Sequence, residues 1–181
     1  MIISISEILS LILTSLVIGF IFMDRFTKSP KLRKFDFRAL IYASLIVSPG
    51  IILHELMHKF VALFFGISAV FKIFPIGIIL AIVLKLVNSP FILIAPGYVE
   101  IGNTTDLTQL FFVAFSGPLI NLILFIIALI IIRKKKLSRN QHLFWYVTKQ
   151  INIILFIFNM LPIPPLDGSK VWFSLYKIIF N

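Results

Sequence analysis

Cysteine is absent from the 181 residues, so thiolate metal sites, disulfides and cysteine nucleophiles are all excluded. Charge is scarce too: 13% of the residues are Asp, Glu, Lys or Arg, about half the usual share in a soluble domain. Histidine is scarcer still, with three residues in the whole chain. What the chain has in quantity is apolar: 60% of residues are hydrophobic, and 20 are phenylalanine. Apolar runs of about 18 or more residues recur, which is the mark of transmembrane helices. The composition excludes a soluble globular domain and specifies a multi-pass integral protein of the cell membrane.

A net charge of +10 would suit nucleic acid if it formed a basic, aromatic-interleaved face. It does not. Six of the basic residues lie in Asp24–Arg38 and five in Arg133–His142, two short connectors between apolar runs. Basic connectors set membrane topology and meet anionic lipid head groups. The lipid bilayer is therefore the expected partner, and nucleic acid is not.

The first apolar run, about Ile2 to Met23, lacks the basic start and small-residue cleavage site of a signal peptide and reads as a retained span. The second, about Ala39 to Gly66, contains Pro49-Gly50, which predicts a distorted turn within it. From Phe71 to Asn103 the chain is apolar but punctuated by Pro75, Gly77, Lys85, Pro90, Pro96 and Gly97. Those breakers among β-branched and aromatic residues favour a hairpin dipping into the membrane over a true span. A clear span covers about Leu107 to Ile132, and a last one begins near Leu143. Pro162, Pro164 and Pro165 break that last span, and Asp167-Gly168 opens a short final helix. The expected fold is an all-α polytopic membrane protein, a bundle of about four to six transmembrane segments with a membrane-dipping β-hairpin.

Two of the three histidines fall in "IILHELMHKF", Ile51 to Phe60. On a helix, His54 and His58 project from one face, one turn apart. That spacing lets two imidazoles meet one tetrahedral zinc ion, with Glu55 beside them as general base toward a water. A hydrogen-bonded histidine pair inside a bundle is the bland alternative, but it leaves Glu55 without a role, and a carboxylate at membrane depth is costly. A catalytic zinc takes a third protein ligand. His142 lies in a basic connector and reads as solvated. Asp24 and Asp36 sit among basic residues, Glu7 near the start of the first span, and Glu100 and Asp106 in a polar loop. Asp167 follows the proline break at the edge of an apolar span, where it could face the bundle or merely cap the final helix.

H-E-x-x-H in an apolar helix, followed by Asn159 and "LPIPPLDG" from Leu161 to Gly168, resembles the site-2 protease family of intramembrane zinc metalloproteases. The resemblance implies His54, His58 and Asp167 as ligands of one zinc ion per chain. It also implies Glu55 as the catalytic base and Asn159 as a residue that holds the substrate peptide or its oxyanion. "SGPLIN", Ser116 to Asn121, is similar to the family's helix beside the zinc helix, which singles out Gly117, Pro118 and Asn121 as supporting residues. "IAPGYVEI", Ile94 to Ile101, is similar to the strand of its membrane-dipping hairpin, with Gly97 and Tyr98. Met57 and Ser169 stand where the family often has glycine.

The resemblance covers about Ala39 to Lys177, so the chain reads as a single membrane-embedded metalloprotease domain over 1–181. Within it, 1–38 is an extra N-terminal span and connector, and 39–181 is the catalytic core. The implied activity is hydrolysis of peptide bonds in a transmembrane protein substrate. A proteolytically silent protein of the same fold that binds a client is the first alternative. A metal transporter is the second, although its spans should then carry more ionisable residues. No feature of the sequence specifies an oligomeric state.

Overall fold

The computed structural model describes residues 3–26, 35–87 and 96–180. The chain is mostly helical, and three helices are long and apolar enough to cross a membrane. In order, the described elements are α1 (Ile5–Phe22), α2 (Phe37–Phe64), β1 (Ala69–Ile73), α3 (Pro75–Leu86), β2 (Gly97–Ile101), α4 (Leu107–Lys134), α5 (Arg139–Asn159) and α6 (Asp167–Phe180). The helices that qualify as spans are α1 with the 3-10 turn Met23–Arg25 that follows it, α2 and α4. Contacts divide the chain into two units, Met1–Ile52 with Phe71–Tyr98, and Leu53–Val70 with Val99–Asn181.

In the first unit α1 starts at a capping box, with Ser4 and Glu7 each satisfying the other's backbone N–H. Glu7 is buried, and its second carboxylate oxygen accepts from the Phe71 N–H of β1 at 2.8 Å. At Gly19 a Cβ would strike the Ser44 hydroxyl and come within 2.8 Å of the Leu40 carbonyl. Glycine there lets α1 lie against the start of α2, as small residues do between membrane helices. Lys85 of α3 reaches the other end of α1: its ammonium lies 4.1 Å above the Phe20 ring, donates to the Phe20 carbonyl and stands 3.3 Å from Asp24. A cation at a helix C-terminus meets the negative end of the helix dipole.

Helix α2 runs unbroken from Phe37 to Phe64 through Pro49, so no interruption precedes the histidines. Its 28 residues measure about 42 Å, and His58 lies about 9 Å before its end. Gly66 ends it with φ 74°, a left-handed conformation that favours glycine. The Ile67 N–H bonds to the Ala62 carbonyl at 2.9 Å and the Gly66 N–H to Leu63 at 3.0 Å, a Schellman closure.

The region expected to form a hairpin is built differently in its middle. Its ends pair as the two-stranded sheet β1–β2, but the 12-residue helix α3 stands between them, with Pro75 at its first turn. At about 18 Å, α3 is too short to span a bilayer. Ile94, Ala95 and Pro90 of the expected hairpin lie outside the described residues. Gly102 donates to Ser68 at 2.8 Å and Phe74 to Pro96 at 3.0 Å, so the strands run antiparallel. In that register the N–H groups of Phe71 and Val99 point away from the partner strand, one at each outer edge.

In the second unit α4 packs against α5 and α6. Asp106 caps α4, accepting from Thr108 at 2.8 Å and Gln109 at 3.1 Å. The last expected span divides as the prolines require: α5 ends at Asn159 and α6 begins at Asp167. Helix α5 has the length of a span, yet its polar start keeps it from the set of three.

Candidate metal centre

The candidate metal-ligating atoms come from α2 and the first turn of α6. His54 and His58 are both buried on one face of α2, with ring centroids 4.7 Å apart. Their Nε2 atoms are 3.1 Å apart, and Asp167 Oδ2 lies 3.0 Å from the first and 3.2 Å from the second. Among the described residues these three form the one group of His, Asp or Glu able to share an ion. Ligand atoms about 2.0–2.2 Å from a tetrahedral zinc stand roughly 3.3 Å from one another, so this triangle has close to the size of one tetrahedral face.

The other side of each ring fixes its chemistry. His58 Nδ1 donates to the Val113 carbonyl of α4 at 2.7 Å, an oxygen that can only accept. The Ser116 hydroxyl donates to the same carbonyl at 2.7 Å. His54 Nδ1 donates to Asn121 Oδ1 at 2.6 Å. With each Nδ1 carrying the proton, a neutral ring presents a lone pair at Nε2. Two lone pairs and a carboxylate oxygen then face a single point. One proton could relieve one pair among these three acceptors, whereas a divalent cation relieves all of them.

Room for the ion is a property of α4. A Cβ on Gly117 would press on His58 Nε2 and lie 2.7 Å from His54 Nε2, so the glycine keeps the space before both nitrogens open. Asp167 is placed by its neighbour, because a Cβ on Gly168 would collide with the Leu161 carbonyl and come within 2.6 Å of that of Met160. The first turn of α6 can thus lie on the chain leaving α5. Trp172, just over a turn later, donates its indole N–H to the Met160 carbonyl at 2.8 Å. Burial works against a charge on Asp167, which is outside the three spans. An imidazole that carries a proton toward it outweighs burial and holds its carboxyl below the usual carboxylate range.

Glu55 is half-buried and accepts from the Val99 N–H of β2 at 3.1 Å. Pro118 and Asn121 are fully buried in α4 beside this cluster. Asn159 is the last residue of α5, half-buried, and its side chain has no hydrogen bond among the described residues. Gly97 and Tyr98 serve the sheet instead: a Cβ on Gly97 would meet the Phe71 ring and the Lys72 carbonyl at 3.1 Å, and the Tyr98 ring lies edge-on to Phe74 at 6.2 Å. His142 is exposed and stacks on Tyr146. The other acids have structural partners: Asp24 pairs with Lys85, Asp36 accepts from Arg38 and Ala39, and Asp106 caps α4.

The sequence reading missed Asn152 of α5, which is 1% exposed and whose Oδ1 accepts from Asn121 Nδ2 at 2.7 Å. An asparagine within the apolar run "INIILFIF" was the available signal, since a polar side chain at that depth requires a partner. The Val113 carbonyl and the Val99 N–H were beyond sequence reading, because backbone groups carry no side-chain signature.

The model of peptidase family M50 matches residues 42–138 and 133–181. A provisionally named zinc metalloprotease of Methanocaldococcus jannaschii is 36% identical over 170 residues, covering 91% of this chain and 82% of the relative. A second provisionally named zinc metalloprotease, from Bacillus subtilis, is 27% identical over 169 residues, covering 82% of this chain and 73% of the relative. No solved structure matches the chain significantly.

Proposed function

Since the chain belongs to peptidase family M50, the site-2 proteases, we propose that it cleaves peptide bonds of transmembrane proteins at a zinc ion held by His54, His58 and Asp167. The observation that carries this reading is the convergence of three acceptor atoms at 3.0–3.2 Å, each imidazole having its other nitrogen engaged. When bound there, zinc supplies Lewis acidity toward a carbonyl oxygen and a water molecule.

Glu55 holds and moves the proton: its carboxylate takes one from the attacking water and returns it to the departing amide nitrogen. The Val99 N–H holds that carboxylate at 3.1 Å from β2. Asn159 is left to steady the substrate peptide or its oxyanion. A helical substrate hides its carbonyls in internal hydrogen bonds and must be drawn out before attack. Pairing it as a strand on the outer edge of β2 supplies the lost backbone partners. Each outer edge has one N–H held by a carboxylate, Val99 of β2 by Glu55 and Phe71 of β1 by Glu7, and β2 is the proposed edge because its carboxylate is the proposed base.

The test is Glu55→Gln in the purified full chain with a model membrane substrate. Zinc content should stay near one per chain while cleavage falls at least about a hundredfold. Cleavage at the wild-type rate would overturn the mechanism. A wild-type chain that binds zinc but cleaves none of a broad substrate set would favour the client-binding alternative.

A further inference from the structure

Behind His54 runs a buried relay that ends on a backbone carbonyl. Asn152 Nδ2 donates to the Thr148 carbonyl at 2.8 Å, Asn121 Nδ2 donates to Asn152 Oδ1 at 2.7 Å, and Asn121 Oδ1 accepts from His54 Nδ1 at 2.6 Å. An amide side chain can turn over, exchanging its oxygen and nitrogen. Here it cannot do so freely. The Thr148 carbonyl accepts only, so the nitrogen of Asn152 must face it and its oxygen must face Asn121. Asn121 must then offer its nitrogen to Asn152 and its oxygen to His54, and Nδ1 of His54 must carry the proton. Asn121 is 0% and Asn152 1% exposed, so water is not at hand to fill either role.

The opposite arrangement would be closed and self-sufficient. With the proton on Nε2, His54 could donate directly to Asp167 Oδ2, 3.0 Å away. Two of the three ligands would then be spent on each other. We infer that Asn152 is a positioning residue for the metal centre, which acts through Asn121 to hold His54 in the tautomer that leaves Nε2 free for the ion. The inference rests on the zinc reading and concerns a residue that touches neither metal nor substrate.

The experiment measures zinc affinity of the detergent-purified full chain by competition with a chromophoric chelator. It runs alongside the thermal unfolding of the metal-free protein. Asn152→Leu removes the acceptor that orients Asn121 Nδ2, and zinc binding should weaken about 10- to 100-fold, the usual effect of losing a partner behind a ligand. Asn152→Asp, protonated at this buried position, donates its O–H to the Thr148 carbonyl and keeps an oxygen toward Asn121, and it should bind within about threefold of wild type. In an Asn121→Asp background either carboxylate oxygen accepts from His54, so adding Asn152→Leu should change affinity less than about twofold.

Wild-type affinity in Asn152→Leu would overturn the inference. So would an equal loss in both backgrounds, or a loss in Asn152→Asp as large as in Asn152→Leu, since general loosening of α5 would produce either. A wild-type chain that holds no zinc overturns this inference together with the metal reading. Wild-type zinc binding that ignores residue 152 overturns this inference alone.

Discussion

A single missing methyl group governs whether the two imidazoles can share an ion. Gly117 sits in the middle of a helix, where alanine would ordinarily be preferred by about 1 kcal/mol. Its cost is accepted because a Cβ would stand 2.7 Å from His54 Nε2 and closer still to His58 Nε2. Gly117→Ala should therefore leave helical content unchanged by circular dichroism while zinc drops from about one per chain to near none. Full zinc occupancy in that variant would mean that the rings can retreat. At this scale His54, Glu55, His58 and Asp167 were legible as candidates, because their residue types and spacing carry the chemistry. Their partners were legible only where a side chain did the work. Asn121 stood in a recognisable motif, whereas Asn152 was missed although a polar residue in an apolar run was the signal for it. The Val113 carbonyl, which fixes His58, leaves no trace in the sequence, since any residue at 113 carries one.

Among the elements, long apolar helices were easy to read and short composite ones were not. Helices α1, α2 and α4 appear near their expected bounds because about 20 apolar residues admit few other structures. Helix α2 continues through Pro49 to Phe64. Between Phe71 and Asn103, proline and β-branched residues pointed to strands, but Pro75 instead takes the first turn of α3, where its missing N–H costs nothing. Among the described residues the strands lie at the two ends of that region, where they pair as the expected two-stranded sheet. β2 gives the element-scale prediction. Val99→Pro removes one outward N–H and leaves the ladder to β1 intact, as proline is tolerated on such an edge. Cleavage of a membrane substrate should fall about tenfold or more, as when a hydrogen bond to a charged group is lost, with zinc content unchanged. Wild-type cleavage in Val99→Pro would remove β2 as the substrate edge and Val99 as the partner of Glu55.

For the whole molecule, the short α3 argues against a crossing between α2 and α4. If α2 and α4 cross the bilayer and the chain between them does not, the two basic connectors emerge on the same side. Single cysteines introduced at Arg38 and Ser138, in a chain that has none of its own, should both react with an impermeant thiol reagent from one side. Labelling from opposite sides would show that the segment containing α3 crosses after all. The basic composition alone could not decide this, because it names the connectors without fixing how many crossings separate them.

The buried bond from Glu7 to the Phe71 N–H carries a consequence for modularity. A first span that merely tethered the chain could be exchanged for any apolar helix of equal length. One whose glutamate closes a strand cannot, because the exchange would leave an amide with no acceptor in apolar surroundings. The N-terminal helix is then an inseparable part of the sheet's architecture rather than an interchangeable anchor.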